Sequence, residues 1–311
     1  MALTLTTATG NYGHTKDIVD GALNNDQLAL EWVEVSPIIN AFRRMIRGLE
    51  FDVSEMAIST YLCAKSFNKP ITAIPIFPVR GFHHGAIVHN TKAGVSSPKD
   101  LEGKKVGVRG WTVTTGVWVR GILAQGYGVD IDKITWVLAG DEHVAEYEYP
   151  PNVQPAPEGS SLPDMLASGE LAAGIGVGNV DSEDVKPLIG GARDAAVKFF
   201  NDTGVYPINH TVVVKDEHLA ANPWLAEELY NTFKTAKASY IAKLDAGVDL
   251  SDADQALVRN GADVGGDPLP YGIEANRTTM EAIIQACLDQ KVIPNRVAVE
   301  DVFAPSTVNL A

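Results

Sequence analysis

Residues 51–60 read FDVSEMAIST and combine an apolar run of strand length with hydroxyl residues that follow it directly. The run Phe51–Ile58 is apolar enough to be a strand covered on both faces, as strands of parallel sheets are. Ser59 and Thr60 are residue types that cap helices, so a helix is expected to begin there. A buried strand that passes straight into a helix is the repeating unit of α/β folds.

The same pattern extends in both directions from this stretch. Strands are predicted at Leu3–Thr7, Leu28–Val35 and Ile71–Phe77 with helices between them, which indicates a parallel sheet covered by helices on both faces. A further strand is predicted at Phe82–His89. After a turn-rich stretch, a second α/β series begins. It comprises strands at 105–109, 133–138 and 171–177 and helices at 113–125 and 162–168.

The strongly β-branched stretch Ile208–Val214 predicts a strand that returns to the first sheet. The expected fold is therefore α/β with two lobes, each a mixed, mostly parallel sheet flanked by helices, as in the type II periplasmic-binding-protein fold. Lobe one is expected to comprise residues 1–88 and 208–311, and lobe two residues 92–205, with a ligand cleft between them. Ligands of such sheets bind beyond the carboxyl ends of the strands, so the loops there should carry the chemistry.

Charge and composition argue against several classes of partner. The 311 residues include 25 Lys and Arg against 39 Asp and Glu, a net charge of −14. An acidic chain repels phosphate backbones and anionic lipid, so neither nucleic acid nor a membrane is expected as a partner. Two cysteines, Cys63 and Cys287, are too few for a disulfide framework or a cysteine metal site. With no signal-peptide pattern and no apolar run of spanning length, a cytoplasmic protein is expected, and self-association into a homo-oligomer stays open.

Three predicted loops at the ends of strands hold residues suited to binding an anion. The candidates are Thr9, Tyr12 and His14 in the first loop, Ser59 and Thr60 in the second, and Arg109, Thr112, Thr114 and Thr115 in the third. The third loop combines arginine and hydroxyl groups with a helix start, which together suit a carboxylate. The alternative is that its threonines only cap the helix.

Three histidines, His14, His84 and His210, are expected near the predicted cleft. His83 and His84 are adjacent on a predicted strand, so they would face opposite sides of the sheet and could not bind one ion together. No two histidines show the i, i+4 spacing of a helical zinc site. The sequence therefore predicts no metal site.

Two charged residues occupy positions that demand a partner. Glu55 lies inside an apolar strand, so its carboxylate must be paired or must face the cleft. An ion pair with Arg43, Arg44 or Arg47 is the simpler interpretation. Arg80 follows the strand that ends at residue 77, and it is either an anion ligand or a surface residue.

Six blocks, in order along nearly the whole chain, resemble the 4,5-dihydroxyphthalate decarboxylase family. They are FRRM (42–45), FDVSEM (51–56), IPIFPVR (74–80), WVRGIL (118–123), GVYPINH (204–210) and YGIEANR (271–277). Members of this family resemble type II binding proteins in fold but are cytoplasmic enzymes. The resemblance therefore implies a carboxy-lyase of aromatic catabolism that acts in phthalate degradation. It also adds Tyr206 and Asn209 to the predicted substrate-binding residues.

One departure from the family pattern concerns the substrate. Where the family usually has Phe-Arg-His-Ser, this chain has FHHG at 82–85, so His83 replaces an arginine while His84 keeps its place. The loss of a fixed positive charge is expected to change which second anionic group is accepted.

The implied reaction is the non-oxidative decarboxylation of a hydroxylated aromatic dicarboxylic acid, above all 4,5-dihydroxyphthalate to protocatechuate and CO2. It needs a base for a ring hydroxyl, an acid for a ring carbon and a cationic clamp, which histidine and arginine supply. The predicted acid–base residues are His84, His210, His14 and Glu55, and the predicted substrate-binding residues are Arg109, Arg80, Thr112, Thr114, Thr115, Ser59, Thr60, Tyr12, Tyr206, Asn209 and His83. No organic cofactor is required. A divalent metal is compatible with the chemistry, but no ligand cluster supports one.

Two other functions stay open at this point. The first is a non-catalytic binding protein of the solute-receptor type for an aromatic acid, since the fold hosts binding more often than catalysis. The missing signal peptide argues against a role in transport. The second is a biosynthetic enzyme of the thiamine-precursor or menaquinone type on the same fold, which the six blocks fit less well.

Overall fold

The computed structural model describes all residues, 1–311, and the chain divides into two compact units. Unit 1 comprises residues 1–81, 208–281 and 297–311, and unit 2 comprises 82–207 and 282–296. The predicted lobe boundaries were wrong in two segments, because residues 82–88 and 282–296 belong to unit 2. The physical reason is pairing: the strand after residue 86 joins the sheet of unit 2, and Gln290 bonds to side chains of that unit.

The two sheets contain eleven strands. These are β1 (Leu3–Ala8), β2 (Leu28–Trp32), β3 (Val53–Ala57), β4 (Ile71–Ile74), β5 (Ile87–Asn90), β6 (Lys105–Val108), β7 (Thr135–Leu138), β8 (Val153–Pro155), β9 (Ala173–Ile175), β10 (Val185–Pro187) and β11 (His210–Lys215). The helices are α1 (Lys16–Val19), α2 (Ile39–Gly48), α3 (Ile58–Ser66), α4 (Thr114–Tyr127), α5 (Leu162–Ala167), α6 (Ala192–Thr203), α7 (Asp216–Ala221), α8 (Leu225–Ala246), α9 (Asp252–Val264), α10 (Arg277–Asp289) and α11 (Val299–Val302). None of them is long and apolar enough to cross a membrane.

The sheet of unit 1 has the order β2-β1-β3-β11-β4. β1 is parallel to both β2 and β3, whereas β11 runs antiparallel between β3 and β4. The first residue of β11, His210, pairs with Ala57, the last residue of β3. The amino end of β11 therefore lies at the sheet edge where β1 and β3 end, and the loops there meet.

The sheet of unit 2 has the order β10-β5-β9-β6-β7-β8, with β6, β7, β8 and β9 parallel and β5 antiparallel. Because β6 and β7 are parallel neighbours, the loops that follow them share one edge of the sheet. Together the two sheets confirm the predicted α/β class with mixed, mostly parallel sheets flanked by helices.

Two local predictions were wrong. The strand predicted at Phe82–His89 begins only at Ile87, because His84–Ala86 form a 3-10 turn. The two adjacent histidines are therefore not placed on opposite faces of a strand. Helix α3 begins at Ile58, so Ser59 and Thr60 lie within its first turn and do not cap it.

Candidate functional site

A buried carboxylate, Glu55, is the centre of the polar cluster in unit 1. It lies in the middle of β3 and has no exposed surface. Its oxygens accept the Gly10 N–H at 2.9 Å and the Tyr12 O–H at 2.9 Å, and Nδ1 of His210 lies 2.5 Å from Oε1. A carboxylate can be buried at this depth because these partners replace its hydration.

The strand order explains why these residues meet. Gly10 and Tyr12 follow β1, and His210 begins β11, and both strands flank β3. The simpler interpretation, in which Glu55 pairs with an arginine of α2, was wrong for Arg44, which forms an ion pair with Glu50 instead. The contacts of Glu55 are instead with Gly10 and Tyr12, in the loop after β1, and with His210.

The orientation of His210 suits proton transfer. Its ring packs edge-on against Phe42, with centroids 4.9 Å apart and an interplanar angle of 84°. The side chain keeps 13% of its surface exposed. Since Nδ1 engages Glu55, the second ring nitrogen, Nε2, is the one left for a ligand. A carboxylate that fixes one imidazole nitrogen and stabilises the imidazolium is a recurring device of acid–base sites.

His14 belongs to the same cluster through ring packing. It is 3% exposed and lies between Tyr12 and Tyr240. Its ring stacks on that of Tyr12, with centroids 5.1 Å apart and an interplanar angle of 15°, and is tilted against that of Tyr240, with centroids 5.7 Å apart. Burial lowers the pKa of His14 to about 4, although the charge of Glu55 and the Pro78 carbonyl oppose this shift. The ring is therefore neutral at neutral pH. Neither of its nitrogens makes a hydrogen bond of standard geometry.

Close packing holds the loop that carries His14. A Cβ on Gly13 would lie 2.0 Å from the Tyr240 ring, so only glycine allows this approach. The Tyr240 hydroxyl in turn donates to the carboxylate of Asp254 in α9. Burial, together with Glu55, raises the pKa of Tyr12 far above its usual value, so Tyr12 stays protonated and acts as a donor to Glu55.

The other predicted site residues of unit 1 lie outside this cluster of hydrogen bonds. Ser59 and Thr60 are fully buried in α3. Arg80 is 8% exposed and donates to Oδ1 of Asn276 at 2.6 Å, so the interpretation as a surface residue was wrong. The backbone N–H of Asn209 donates to the Val79 carbonyl at 2.8 Å.

His84 belongs to unit 2, whereas Glu55, His210 and His14 belong to unit 1. It is 3% exposed, and its ring packs edge-on against Phe199 at 5.5 Å. Burial lowers the pKa of His84. His83 and Tyr206 are also buried in unit 2. The structure thus brings together four of the predicted residues by contact, namely Glu55, His210, Tyr12 and His14.

The predicted ligand-binding residues of the loop after β6 differ in their exposure to solvent. Arg109 is exposed, whereas Thr112 and Thr114 are buried and Thr115 is partly buried. The donors of this loop already hold a protein carboxylate, Glu142, which follows β7. It accepts the Trp111 N–H, the Thr112 N–H at 3.1 Å and the Thr112 O–H at 2.6 Å.

The sequence analysis missed two residues of this region, Glu142 and Arg120, which lies in α4. It has no exposed surface and donates from Nε to Oε1 of Gln290 at 2.6 Å and from Nη2 to the Trp111 carbonyl at 2.5 Å. Its guanidinium lies 3.8 Å from the centroid of the Trp111 ring. Burial lowers the pKa of Arg120 to about 9, opposed by Glu142, so it is charged at neutral pH. An arginine inside the apolar run 117–123 was the available signal.

No group of three or more His, Cys, Asp and Glu side chains is arranged to hold a metal ion. What the cluster around Glu55 offers instead is a fixed anion, a histidine with one nitrogen engaged and a protonated tyrosine. Such a set can take up or release a proton at Nε2 of His210.

Comparison with known proteins adds two curated relatives and a fold. No family model matches the chain. It is 28% identical to the 4,5-dihydroxyphthalate decarboxylase of Comamonas testosteroni over 323 aligned positions, which cover 98% of each chain. It is 35% identical to the 4,5-dihydroxyphthalate decarboxylase of Pseudomonas putida over 182 positions, covering 56% of this chain and 70% of that one.

Among solved structures, the periplasmic aliphatic sulphonate binding protein SsuA of Escherichia coli is similar, with a TM-score of 0.53. The two share 12% sequence identity, and the match covers 97% of this chain and 92% of the other. At this identity the likeness shows the fold alone. It confirms the periplasmic-binding-protein-like fold predicted from the sequence.

Proposed function

Because this chain belongs to the 4,5-dihydroxyphthalate decarboxylase family, it is a carboxy-lyase, and we propose that it converts 4,5-dihydroxyphthalate into protocatechuate and CO2 without oxidation. The observation that supports the proposed catalytic residues is the contact between buried Glu55 and His210. It leaves Nε2 of His210 for a ligand. A small anionic aromatic acid is accordingly the proposed ligand. A cytoplasmic location and self-association stay predictions.

The chemistry of the substrate explains why an acid–base pair suffices. Each carboxylate of 4,5-dihydroxyphthalate has a hydroxyl group para to it. Removal of the hydroxyl proton places negative charge on the ring carbon that bears the carboxylate, and a proton then adds to this carbon. The bond to the carboxyl carbon breaks, its electron pair restores the aromatic ring, and CO2 leaves. The phenolate that results regains a proton from the base, and the proton added to carbon comes ultimately from water. The reaction therefore consumes one proton overall and no oxidant or organic cofactor.

His210 is proposed as the base for the substrate hydroxyl. In its neutral form it donates Nδ1–H to Glu55 and presents the lone pair of Nε2. When Nε2 takes the proton, the carboxylate of Glu55 lies against the imidazolium that forms. General base catalysis of this kind contributes about 10²–10⁴-fold to a rate.

The test is incubation of the purified protein with 4,5-dihydroxyphthalate, with and without exhaustive dialysis against a chelator. Equal amounts of protocatechuate and CO2 are expected, with one deuterium at the vacated ring carbon in heavy water and equal rates after dialysis. Saturable binding of unchanged acid, with no product from a panel of hydroxylated phthalates, would instead identify a binding protein. Activity lost on chelation and restored by a divalent ion would overturn the proposal that no metal is needed.

The shared oxygen of Glu55 leads to a prediction about the rate. Tyr12 and His210 both contact Oε1, so Tyr12→Phe removes a donor that holds this carboxylate beside the imidazole. A hydrogen bond to a charged group is worth about 1.5–3 kcal/mol, and about 1.4 kcal/mol corresponds to a tenfold change in rate. The kcat with 4,5-dihydroxyphthalate should therefore fall by about tenfold or more.

The control for this prediction is Tyr147→Phe, which removes a hydroxyl that donates to the Lys291 carbonyl in unit 2. Its kcat should coincide with that of the unmodified enzyme. If Tyr12→Phe also leaves kcat unchanged, Tyr12 does not act on the proposed base through Glu55.

A further inference from the structure

Three aromatic rings connect the polar cluster around Glu55 to helix α9. They belong to Tyr12, His14 and Tyr240, here called the ring stack, and the Tyr240 hydroxyl donates to the carboxylate of Asp254. We propose that Asp254 is a positioning residue for the reaction, which acts through the ring stack on the loop that donates to Glu55. This inference rests on the proposed function, because it concerns the rate of that reaction.

The far end of the ring stack is anchored to a buried anion. Asp254 lies in the first turn of α9, where Oδ2 accepts the Ser251 N–H at 2.9 Å and a hydrogen bond from Lys243 at 3.0 Å. Oδ1 accepts the Tyr240 hydroxyl. The hydrogen bond from Tyr240, followed by those from Lys243 and Ser251, holds the pKa of Asp254 well below its usual value, although burial opposes this shift. The anchor is therefore ionised at neutral pH, and a hydrogen bond to an ionised oxygen is about twice as strong as a neutral one.

Tyr240 packs directly on the backbone of the loop after β1. A Cβ on Gly13 would lie 2.0, 2.4 and 2.7 Å from three carbons of the Tyr240 ring, so the ring lies against the Cα atom of this glycine. The same ring is tilted against that of His14. Protein interiors are close-packed and transmit displacements, so a shift of the Tyr240 ring shifts the loop.

The other end of the ring stack positions the donors to Glu55. The Tyr12 ring folds over Gly10, where an added Cβ would lie 2.2 Å from Cζ of the tyrosine. Gly10 and Tyr12 are the residues of this loop that donate to Glu55. Tyr12 donates to Oε1, the oxygen that also contacts Nδ1 of His210. A displaced loop therefore changes how the carboxylate is held against the proposed base.

The alternative is that Asp254 serves only to cap its own helix. Ser251 and Asp254 form a capping box, in which the Asp254 N–H donates to the Ser251 hydroxyl at 3.2 Å. The carboxylate contacts Ser251 through Oδ2 and Tyr240 through Oδ1. The two roles thus use different oxygens, so substitutions can separate them.

The test compares the two roles in steady-state kinetics with 4,5-dihydroxyphthalate. A displacement of about 1 Å far from the chemistry can cost about 10²-fold, so Tyr240→Phe and Asp254→Ala are each expected to lower kcat by about 5–10-fold and to leave KM within about twofold. Asp254→Asn keeps an acceptor oxygen and should recover part of the loss. The control, Ser251→Ala, weakens the cap alone. It should lower the melting temperature by a few degrees and leave kcat within about twofold of the unmodified enzyme.

A double variant decides whether the two residues act through one hydrogen bond. The kcat of Tyr240→Phe combined with Asp254→Ala should equal that of Asp254→Ala within about twofold, because the second substitution has nothing left to remove. Multiplied losses would overturn the proposal. So would a near-normal kcat in Tyr240→Phe, or a loss in Ser251→Ala as large as that in Tyr240→Phe.

A spectroscopic measurement separates this inference from the proposed function. In protein with isotope-labelled histidine, the chemical shifts of the two ring nitrogens of His210 are assigned by comparison with His210→Asn. They should change in Tyr240→Phe and Asp254→Ala but not in Ser251→Ala. If the unmodified protein forms no protocatechuate, the proposed function fails, and these chemical shifts still test whether Asp254 positions the histidine. Unchanged shifts in Tyr240→Phe would show that it does not.

Discussion

Replacement of His210 by asparagine is expected to lower kcat by about 10²–10⁴-fold, the usual contribution of a general base. Asparagine retains a polar group near Glu55 but cannot take up a proton. Because the imidazole contacts Glu55 and the edge of Phe42, the neighbouring structure should change little. The measurement is the single-turnover rate with 4,5-dihydroxyphthalate, which separates chemistry from product release.

The chain provides a matched control for this substitution. His218 also contacts a carboxylate, with Nε2 2.9 Å from Oδ1 of Asp52, but Asp52 lies just before β3, at the opposite end of that strand from Ala57. His218→Asn should therefore leave kcat within about threefold of the unmodified enzyme. Glu55→Gln should lower kcat by about 10²-fold or more, because it removes the charge that stabilises the imidazolium. A near-normal rate in His210→Asn would contradict the proposed base, and His84 or His14 would become the next candidate.

The second large effect is on stability. Arg120→Met is expected to lower the free energy of unfolding by about 2–5 kcal/mol, because each buried acceptor left without its donor costs about 1–3 kcal/mol. Methionine preserves much of the apolar volume, but it leaves the Trp111 carbonyl and the Gln290 amide oxygen without their donor. Glu142 also loses the buried positive charge. The control is Arg109→Ala, because Arg109 is exposed and its replacement should change stability by less than about 0.5 kcal/mol.

A double-mutant cycle measures how far Glu142 is responsible for this effect. Urea unfolding is compared for Arg120→Met, Glu142→Gln and the double variant. If the two charges compensate each other, the double variant should be more stable than the sum of the single effects predicts, by about 0.5–3 kcal/mol. Strict additivity would show that Glu142 is not the counter-charge of Arg120.

That Tyr12, His14 and Glu55 lie near one another was predictable in part, because parallel strands bring their following loops to one edge, although an arginine of α2 was the favoured partner of Glu55. Tyr12 and His14 follow β1, Glu55 lies in β3, and each was identified from its place in the α/β pattern. His210 was identified at the start of the returning strand, and the antiparallel pairing of β11 brings its imidazole to Glu55.

The positions and partners of the residues that were misplaced or missed are set by tertiary structure, which the hydrophobic periodicity of the sequence does not report. His84 was placed on a strand, but the chain forms a 3-10 turn there. Arg120 reads as one charged residue in an apolar helix, and its main partner, Gln290, is far away in sequence. Glu142 lies in a segment without periodicity, so no pattern could link it to Thr112.

The insertion of β11 between β3 and β4 also sets an order of events during synthesis. β4 pairs with no strand other than β11, and β3 has β11 as its second neighbour, so both have open edges until residues 210–215 have been made. At about 5–20 residues per second, the ribosome must first add all of residues 75–209. Until then, residues 1–81 have two unpaired strand edges, which are sites of aggregation. His210, which contacts Glu55, lies on the strand that pairs with these edges, so a chain halted before residue 210 lacks both the proposed base and a complete sheet.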